Sequence, residues 1–272
     1  MNHVAVNGVN ITYTEQGVGT PVVFVHGSMS DRRVWASQRF DIAAKYRFVA
    51  YDQRYFGAQP WRDDGQNFNQ PTHAADLVAF IQTLQAGPVH VVAWSYGGSV
   101  ATLAASQHPE LFRSLSLHEP TLGSLIGETP EGQAAVNGFR NAVATIRAVA
   151  HTGDALLAAQ LFWEFVFILP EGGFKQELQA LQDIVLDNAR SVPLTLNAPP
   201  QVITCDMVKA ITVPVLITVG ANTRPLWILA GQRLQCCLPN GTLVVIPDGD
   251  HAATVRQSHL FNRTLMDFLA GC

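Results

Sequence analysis

The stretch VHVVAWSYGGSVATLAA (89–105) joins two kinds of segment with no linker between them. Its first residues are apolar and rich in valine, as expected for a strand buried on both faces. From Tyr96 onward it is made of small residues and helix formers. The junction, Ala93-Trp94-Ser95-Tyr96-Gly97-Gly98, has a small residue two positions either side of a serine. A strand that runs at once into a helix forces the residue at the turn into a strained backbone, and bulky neighbours two residues away would clash. The serine hydroxyl is thereby raised clear of the sheet. The helix N-terminus beneath it points backbone N–H groups at whatever charge develops there. Ser95 is the candidate nucleophile; the structural alternative is a serine that merely caps the helix.

Working outward, other short apolar runs share the character of the first: 21–27 (PVVFVHG), 46–52 (YRFVAYD), 111–120 (LFRSLSLHEP), 213–220 (VPVLITVG) and 241–249 (GTLVVIPDG). Helical patterns fall between several of them, at 33–45, 72–86, 96–108 and 256–270. Alternation of this kind predicts parallel strands with right-handed crossovers. Residues 2–18 read instead as a hairpin turning at Asn7-Gly8. Between 121 and 206 the period is helical throughout, with no convincing strand. The expectation is an α/β core formed by 1–120 and 207–272, a mostly parallel sheet flanked by helices, with a helical cap at 121–206.

Two more loops carry chemistry. His26-Gly27-Ser28 follows the first buried run, where a second oxyanion donor belongs; the backbone N–H groups of Ser28 and Tyr96 are the candidate pair. His26 reads as structural, bonded to loop backbone. Asp248-Gly249-Asp250-His251 follows the last run, and a histidine there can reach over the sheet edge to Ser95. His251 is the candidate base, taking the serine proton and returning it to the leaving group. The other histidines lie in helical, strand, hairpin or insert positions.

Together VHG (25–27), YDQRYFG (51–57), AWSYGG (93–98) and DGDHA (248–252) resemble the α/β-hydrolase fold superfamily, over nearly the whole chain outside 121–206. The resemblance implies a carboxylate after the run VPVLITVG, near Asn222-Thr223, to orient the base. None is present: after Asp206 the next acidic residue is Asp248. Asp52 resembles a structural aspartate of the family, and Asp248 and Asp250 stand too close to His251 to fold back under its ring. Glu119 remains, ending the run RSLSLHEP next to the nucleophile strand, with a methylene more reach than aspartate. Some family members of the zearalenone lactonase type, which have a His-Glu-Leu-Pro stretch similar to His118-Glu119-Pro120, place the acid there. Glu119 is the expected third member, against the reading that it pairs with a cap arginine; His118 reads as structural.

The remaining composition bounds the function. Hydrophobic residues are 48% and charged residues 14%, which suits a packed core and argues against disorder. A net charge of -4 offers no footprint for nucleic acid. No apolar run is long enough to span a bilayer, and the amino-terminal residues lack the layout of a signal peptide. Cys205, Cys236, Cys237 and Cys272 suggest neither a disulfide framework nor a metal site, so the expected home is the cytoplasm. No cofactor and no metal are expected, and the oligomeric state, a homodimer included, is left open. QLFWEFVFILP (160–170) is apolar all round. It reads as core, or, functionally, as the roof of an apolar pocket through Phe162, Trp163, Phe165 and Phe167, joined by Trp94 and Trp227. A charged head group has few obvious partners, Arg54 and Arg224 being the candidates. The expected substrate is a small apolar ester or lactone, cleaved through an acyl-enzyme. Hydrolysis of a carbon–carbon bond in a β-diketone-like substrate, or a non-catalytic ligand receptor on the same scaffold, are the alternatives.

Overall fold

The computed structural model describes residues 1–61 and 63–272. Eight strands form one sheet: β1 (Asn2–Val6), β2 (Val9–Gln16), β3 (Pro21–Val25), β4 (Arg47–Tyr51), β5 (Val89–Trp94), β6 (Phe112–His118), β7 (Val215–Gly220) and β8 (Gly241–Ile246). Their order is β1-β2-β4-β3-β5-β6-β7-β8. The β1–β2 hairpin turns at Asn7-Gly8, and β2 joins β4 antiparallel. From β4 through β8 every pairing is parallel. A parallel neighbour requires a crossover, and the helices supply it: α1 (Ala36–Ala43), α2 (Gln70–Thr83) and α3 (Tyr96–Gln107) precede β6. Between β6 and β7 lie α4 (Pro130–His151), α5 (Ala155–Val166), α6 (Gln179–Asp187), α7 (Val192–Asn197) and α8 (Cys205–Lys209). The chain continues through α9 (Pro225–Cys237), α10 (Ala253–Arg256) and α11 (Ser258–Ala270). This is an α/β-hydrolase fold with a helical insertion.

Burial follows position in the sheet. Every residue of β3, β5 and β7 is buried, as their continuous apolar runs demand. The run at 241–249 was expected to behave likewise, but β8 is the last strand of the sheet and is largely half-exposed or exposed, with Val245 53% accessible. An edge strand has no further neighbour to cover it. The core is filled by large rings, among them Trp35, Trp94, Trp227, Phe24 and Phe48. Phe24 packs on Trp35 and Phe48 with centroids 5.1 and 4.8 Å away.

Two features depart from the sequence reading. The segment Pro225–Cys237, not among the helical patterns read from the sequence, is the helix α9, packed on β7 and β8 with proline in its first turn, where no N–H is lost. Cys205 and Cys237, expected to be free, are joined in a disulfide with their Cα atoms 5.1 Å apart. Thirty-two residues separate them in sequence, and the packing of α8 on α9 brings them together. Among the described residues no helix is long and apolar enough to cross a membrane.

Candidate active site

The site lies at the carboxyl ends of three adjacent strands. Pairing of β5 with β6 sets Trp94 opposite His118, and the Ser95 N–H continues the ladder to the His118 carbonyl at 3.0 Å. One strand further, the Glu119 N–H donates to the Thr218 carbonyl at 3.0 Å. Ser95, Glu119 and Gly220 therefore leave the sheet side by side, each at the tip of its own strand.

Ser95 occupies φ 56°, ψ -119°, a region a non-glycine residue adopts only under constraint. The constraint is packing beneath the elbow. A Cβ on Gly97 would stand 2.3 Å from the His26 carbonyl oxygen and 2.7 Å from that of Val25. Both obstacles are backbone, so neither can swing aside. The small-residue spacing in the sequence is a steric requirement of this turn. Positive φ also recurs at Glu119 (44°), at Met29 (50°) beyond the His26-Gly27-Ser28 turn, and at Asp248 (54°) in the loop carrying His251. Strain of about 1–3 kcal/mol per such residue persists only where surrounding structure over-determines it.

His251 reaches back over the sheet edge. Its Nε2 lies 2.9 Å from Ser95 Oγ and its Nδ1 2.6 Å from Glu119 Oε2. The histidine and the glutamate are 3% and 0% accessible, so water does not compete for their contact. Several groups hold the imidazole in place. Trp94 Nε1 donates to the His251 carbonyl at 2.8 Å, and the Trp227 ring stacks on it at 3.8 Å and 19°. The Asn222 N–H donates to the Gly249 carbonyl at 2.8 Å, tying the β7–α9 turn to the histidine loop.

Glu119 is fully committed. Oε1 accepts from the Gly220 N–H and Oε2 from Thr223 Oγ1, each at 2.7 Å, in addition to His251. Burial works to raise its pKa, but the hydrogen bond and charge of His251, the charge of His118 and the Gly220 N–H outweigh that. The carboxyl is held below its ordinary value. No arginine pairs with it among the described residues, so the structural alternative weighed from the sequence is not realised. Gly220 and Thr223 belong to the turn that lacks the family's acid; that turn supplies donors to a carboxylate one strand away. Nothing in the sequence marks Thr223 for this, because its partner is 104 residues distant.

The other acids and histidines are engaged elsewhere. Asp52 accepts from the Arg32 N–H at 2.9 Å and pairs with its guanidinium; burial lifts its pKa to about 6. Asp250 accepts from the Ala252 N–H at 2.7 Å and pairs with Arg256. His26, its pKa lowered to about 4 by burial, donates from Nδ1 to the Gly27 carbonyl and accepts at Nε2 from the Gln53 N–H. His118 shares a proton with Thr218 Oγ1 at 2.9 Å, and burial lowers its pKa.

A cavity of about 420 Å³ opens over Ser95 and His251. Ser28 and Tyr96, the two expected oxyanion donors, line it next to Ser95. Tyr96 is the first residue of α3, where a backbone N–H has no intrahelical acceptor. Of the five side chains expected to bind substrate, Trp94, Phe162, Trp163 and Trp227 line the cavity, as does Phe167. Phe165 does not. Its position on α5 turns it toward Arg224, whose guanidinium lies 3.9 Å over the ring and whose Nε donates to the Phe165 carbonyl at 2.9 Å. That contact also occupies Arg224, while Arg54 is paired with Asp76 at 2.7 Å, so neither expected cation faces the cavity. The sequence reading missed lining residues of α4 and α7, among them Phe139, Arg140, Arg147 and Thr195. Their periodicity announces a helix without saying which side meets the core.

A serine, a histidine and a carboxylate in hydrogen-bonded sequence on the carboxyl edge of a parallel sheet, with the serine in a strained strand-to-helix turn, define a class of arrangement that α/β hydrolases carry. The chain belongs to the α/β-hydrolase fold family, whose model matches residues 20–255. Among curated relatives it is similar to 2-(acetamidomethylene)succinate hydrolase of Mesorhizobium japonicum, with 24% identity over 98% of this chain and 94% of that protein. The esterase EaEST from Exiguobacterium antarcticum shares the fold with a TM-score of 0.82 and 19% identity over 98% of each chain. A bromoperoxidase from Bacillus anthracis does so with a TM-score of 0.76 and 22% identity, covering 99% of this chain and 100% of that one.

Proposed function

We propose that the protein is a serine hydrolase that cleaves a carboxylic ester or lactone through Ser95, His251 and Glu119. One observation carries the reading: the hydrogen-bonded chain from Ser95 Oγ through both nitrogens of His251 to Glu119 Oε2 opens onto a mostly apolar cavity. As the substrate carbonyl approaches, Ser95 Oγ attacks its carbon and passes its proton to His251 Nε2. Glu119 stabilises the imidazolium through Nδ1–H and keeps the ring in the tautomer that leaves Nε2 free to accept. Negative charge on the tetrahedral oxygen falls to the N–H groups of Ser28 and Tyr96, supported by the N-terminus of α3. Collapse breaks the bond to the leaving oxygen, which takes the proton from His251 Nε2. Water then adds to the acyl-enzyme by the same route in reverse and releases the acid.

Residues 121–206 act in this reading as a cap over a core of 1–120 and 207–272, with Phe162, Trp163 and Phe167 roofing the acyl site. In this reading Glu119 at the end of β6 is the triad acid, an arrangement similar to that of hydrolases of the zearalenone lactonase type. The test is a fluorophosphonate probe followed by ester turnover. Stoichiometric labelling of Ser95, abolished in Ser95→Ala, together with hydrolysis of short p-nitrophenyl esters, is expected. A folded wild-type protein that does not label would sink the reading and favour a ligand receptor. Labelling without ester turnover, with cleavage of β-diketones, would move it to carbon–carbon hydrolysis.

A further inference from the structure

The cavity over Ser95 is mostly apolar, and two arginines of α4 stand in its wall. The α4 residues Arg140, Val143 and Arg147 line it at i, i+3 and i+7, one face of the helix. The two arginines stand roughly 10 Å apart along the axis at a rise of about 1.5 Å per residue. Arg147 is half-buried, and its Nε donates to the Leu196 carbonyl at 2.9 Å, which orients the guanidinium and leaves its terminal nitrogens without a partner among the described residues. Among the described residues neither arginine takes part in an ion pair, whereas Arg32, Arg33, Arg47, Arg54 and Arg256 each pair with a carboxylate. Among the described residues no aspartate or glutamate lines the cavity. Beside Arg147, on α7, Thr195 also lines it, and its buried hydroxyl has no hydrogen-bond partner among the described residues.

A half-buried guanidinium oriented by a backbone carbonyl, beside a buried and unpartnered hydroxyl on the wall of a mostly apolar cavity, is a ready site for an anion, and the exposed Arg140 adds positive charge next to it. We infer that the substrate carries a carboxylate remote from the scissile carbonyl, held by Arg147 and Thr195 and drawn in by the more exposed Arg140, so that the enzyme prefers half-esters of dicarboxylic acids, or lactones with an equivalent acid group, over neutral esters. The inference rests on the hydrolase reading and names its substrate class. The planar fork of arginine matches a carboxylate in two parallel hydrogen bonds. Phe139, Val143, Phe162 and Trp163 also line the cavity and offer apolar surface to an aliphatic chain.

The experiment compares kcat/KM for monomethyl suberate and methyl octanoate by pH-stat, and titrates suberate and octanoate into Ser95→Ala protein calorimetrically. Wild type is expected to favour the half-ester at least tenfold. Arg147→Gln should cut that ratio tenfold or more, Arg140→Gln less and mainly at low salt, and Arg147→Lys should restore part of it; circular dichroism checks that each variant is folded. Suberate should bind at least tenfold tighter than octanoate, a margin lost in Ser95→Ala/Arg147→Gln. Hydrolysis of both esters with no preference for the half-ester, or a preference indifferent to both arginines, overturns the inference and leaves the hydrolase reading standing. Arg147-dependent suberate binding without turnover of any ester overturns the hydrolase reading while upholding an anionic ligand. No turnover and no selective binding overturns both.

Discussion

At the scale of single residues, the arrangement turns on what a buried carboxylate needs. Glu119 is removed from water, and three donors from three directions replace its hydration: the His251 imidazole, the Gly220 N–H and the Thr223 hydroxyl. A charge-assisted hydrogen bond in such a place is worth about 1.5–3 kcal/mol. If Glu119 holds the tautomer and compensates the imidazolium, Glu119→Gln lowers kcat by roughly 10⁴, the scale of a triad acid exchanged for its amide. Thr223→Val removes one supporting donor and keeps the acid, so a loss of only about 10- to 100-fold is expected. Steady-state kinetics on one p-nitrophenyl ester measures both; equal losses in the two variants would show that Glu119 is not the group that matters. Asp250→Asn serves as the control, because Asp250 is bound to Arg256 and the Ala252 N–H and should leave kcat within a few-fold.

At the scale of elements, the β5–α3 junction shows how a spacing pattern becomes a constraint. Gly97 meets backbone oxygens of the turn after β3 and of β3 itself at 2.3 and 2.7 Å once a Cβ is added, and Gly98 would meet the Pro120 side chain at 2.7 Å. Pro120 follows Glu119, so the helix under Ser95 and the strand bearing the carboxylate are packed to one another. Gly97→Ala therefore has to push the β3 turn outward, at about 1–3 kcal/mol of overpacking. A fall in Tm of several degrees is expected, together with a kcat loss of 100-fold or more as Ser95 and the Ser28 N–H move apart. Differential scanning calorimetry with ester kinetics checks it, and an unchanged Tm with unchanged kcat would show that the turn has slack. The α9 helix adds a second element-scale role. It carries Trp227 under the His251 ring, and the turn before it carries Thr223 to Glu119, so one element seats both partners.

At the scale of the whole molecule, the buried histidines set the response to acid. His26, His73 and His90 are neutral in the fold, with pKa values lowered to about 4, about 3 and about 4 by burial. In the unfolded chain the same groups bind protons near pH 6.5. Between those values the unfolded state holds more protons, so stability rises with pH and is lost as pH falls from about 6.5 toward 4, by on the order of 3 kcal/mol for each fully buried group. Thermal melts from pH 8 to pH 4 should show Tm level above 7 and falling steadily below 6.5; a Tm unchanged at pH 5 would contradict this account. None of these pKa values can be read from the chain, since burial is a property of the packed molecule. The alternation of apolar runs with helical periods, and the small-residue frame around Ser95, were legible because they are local: a two-faced buried strand and a tight turn each dictate composition over a few residues. His251 was legible by its place after the last strand. The edge exposure of β8, the helix α9, the Cys205–Cys237 bond, the turning of Phe165 away from the cavity and the arginine face of α4 were not, because each depends on which surfaces meet. Glu119 stands between the two. Its residue type and its place at a strand tip are written in the chain, but only the parallel register of β5, β6 and β7 brings it within 2.6 Å of His251, held by donors 101 and 104 residues away. Sequence by itself determined the sheet, the elbow and the kinds of side chain available; tertiary structure decided which of them touch, because contact between distant segments follows from strand register and helix packing rather than from any local preference.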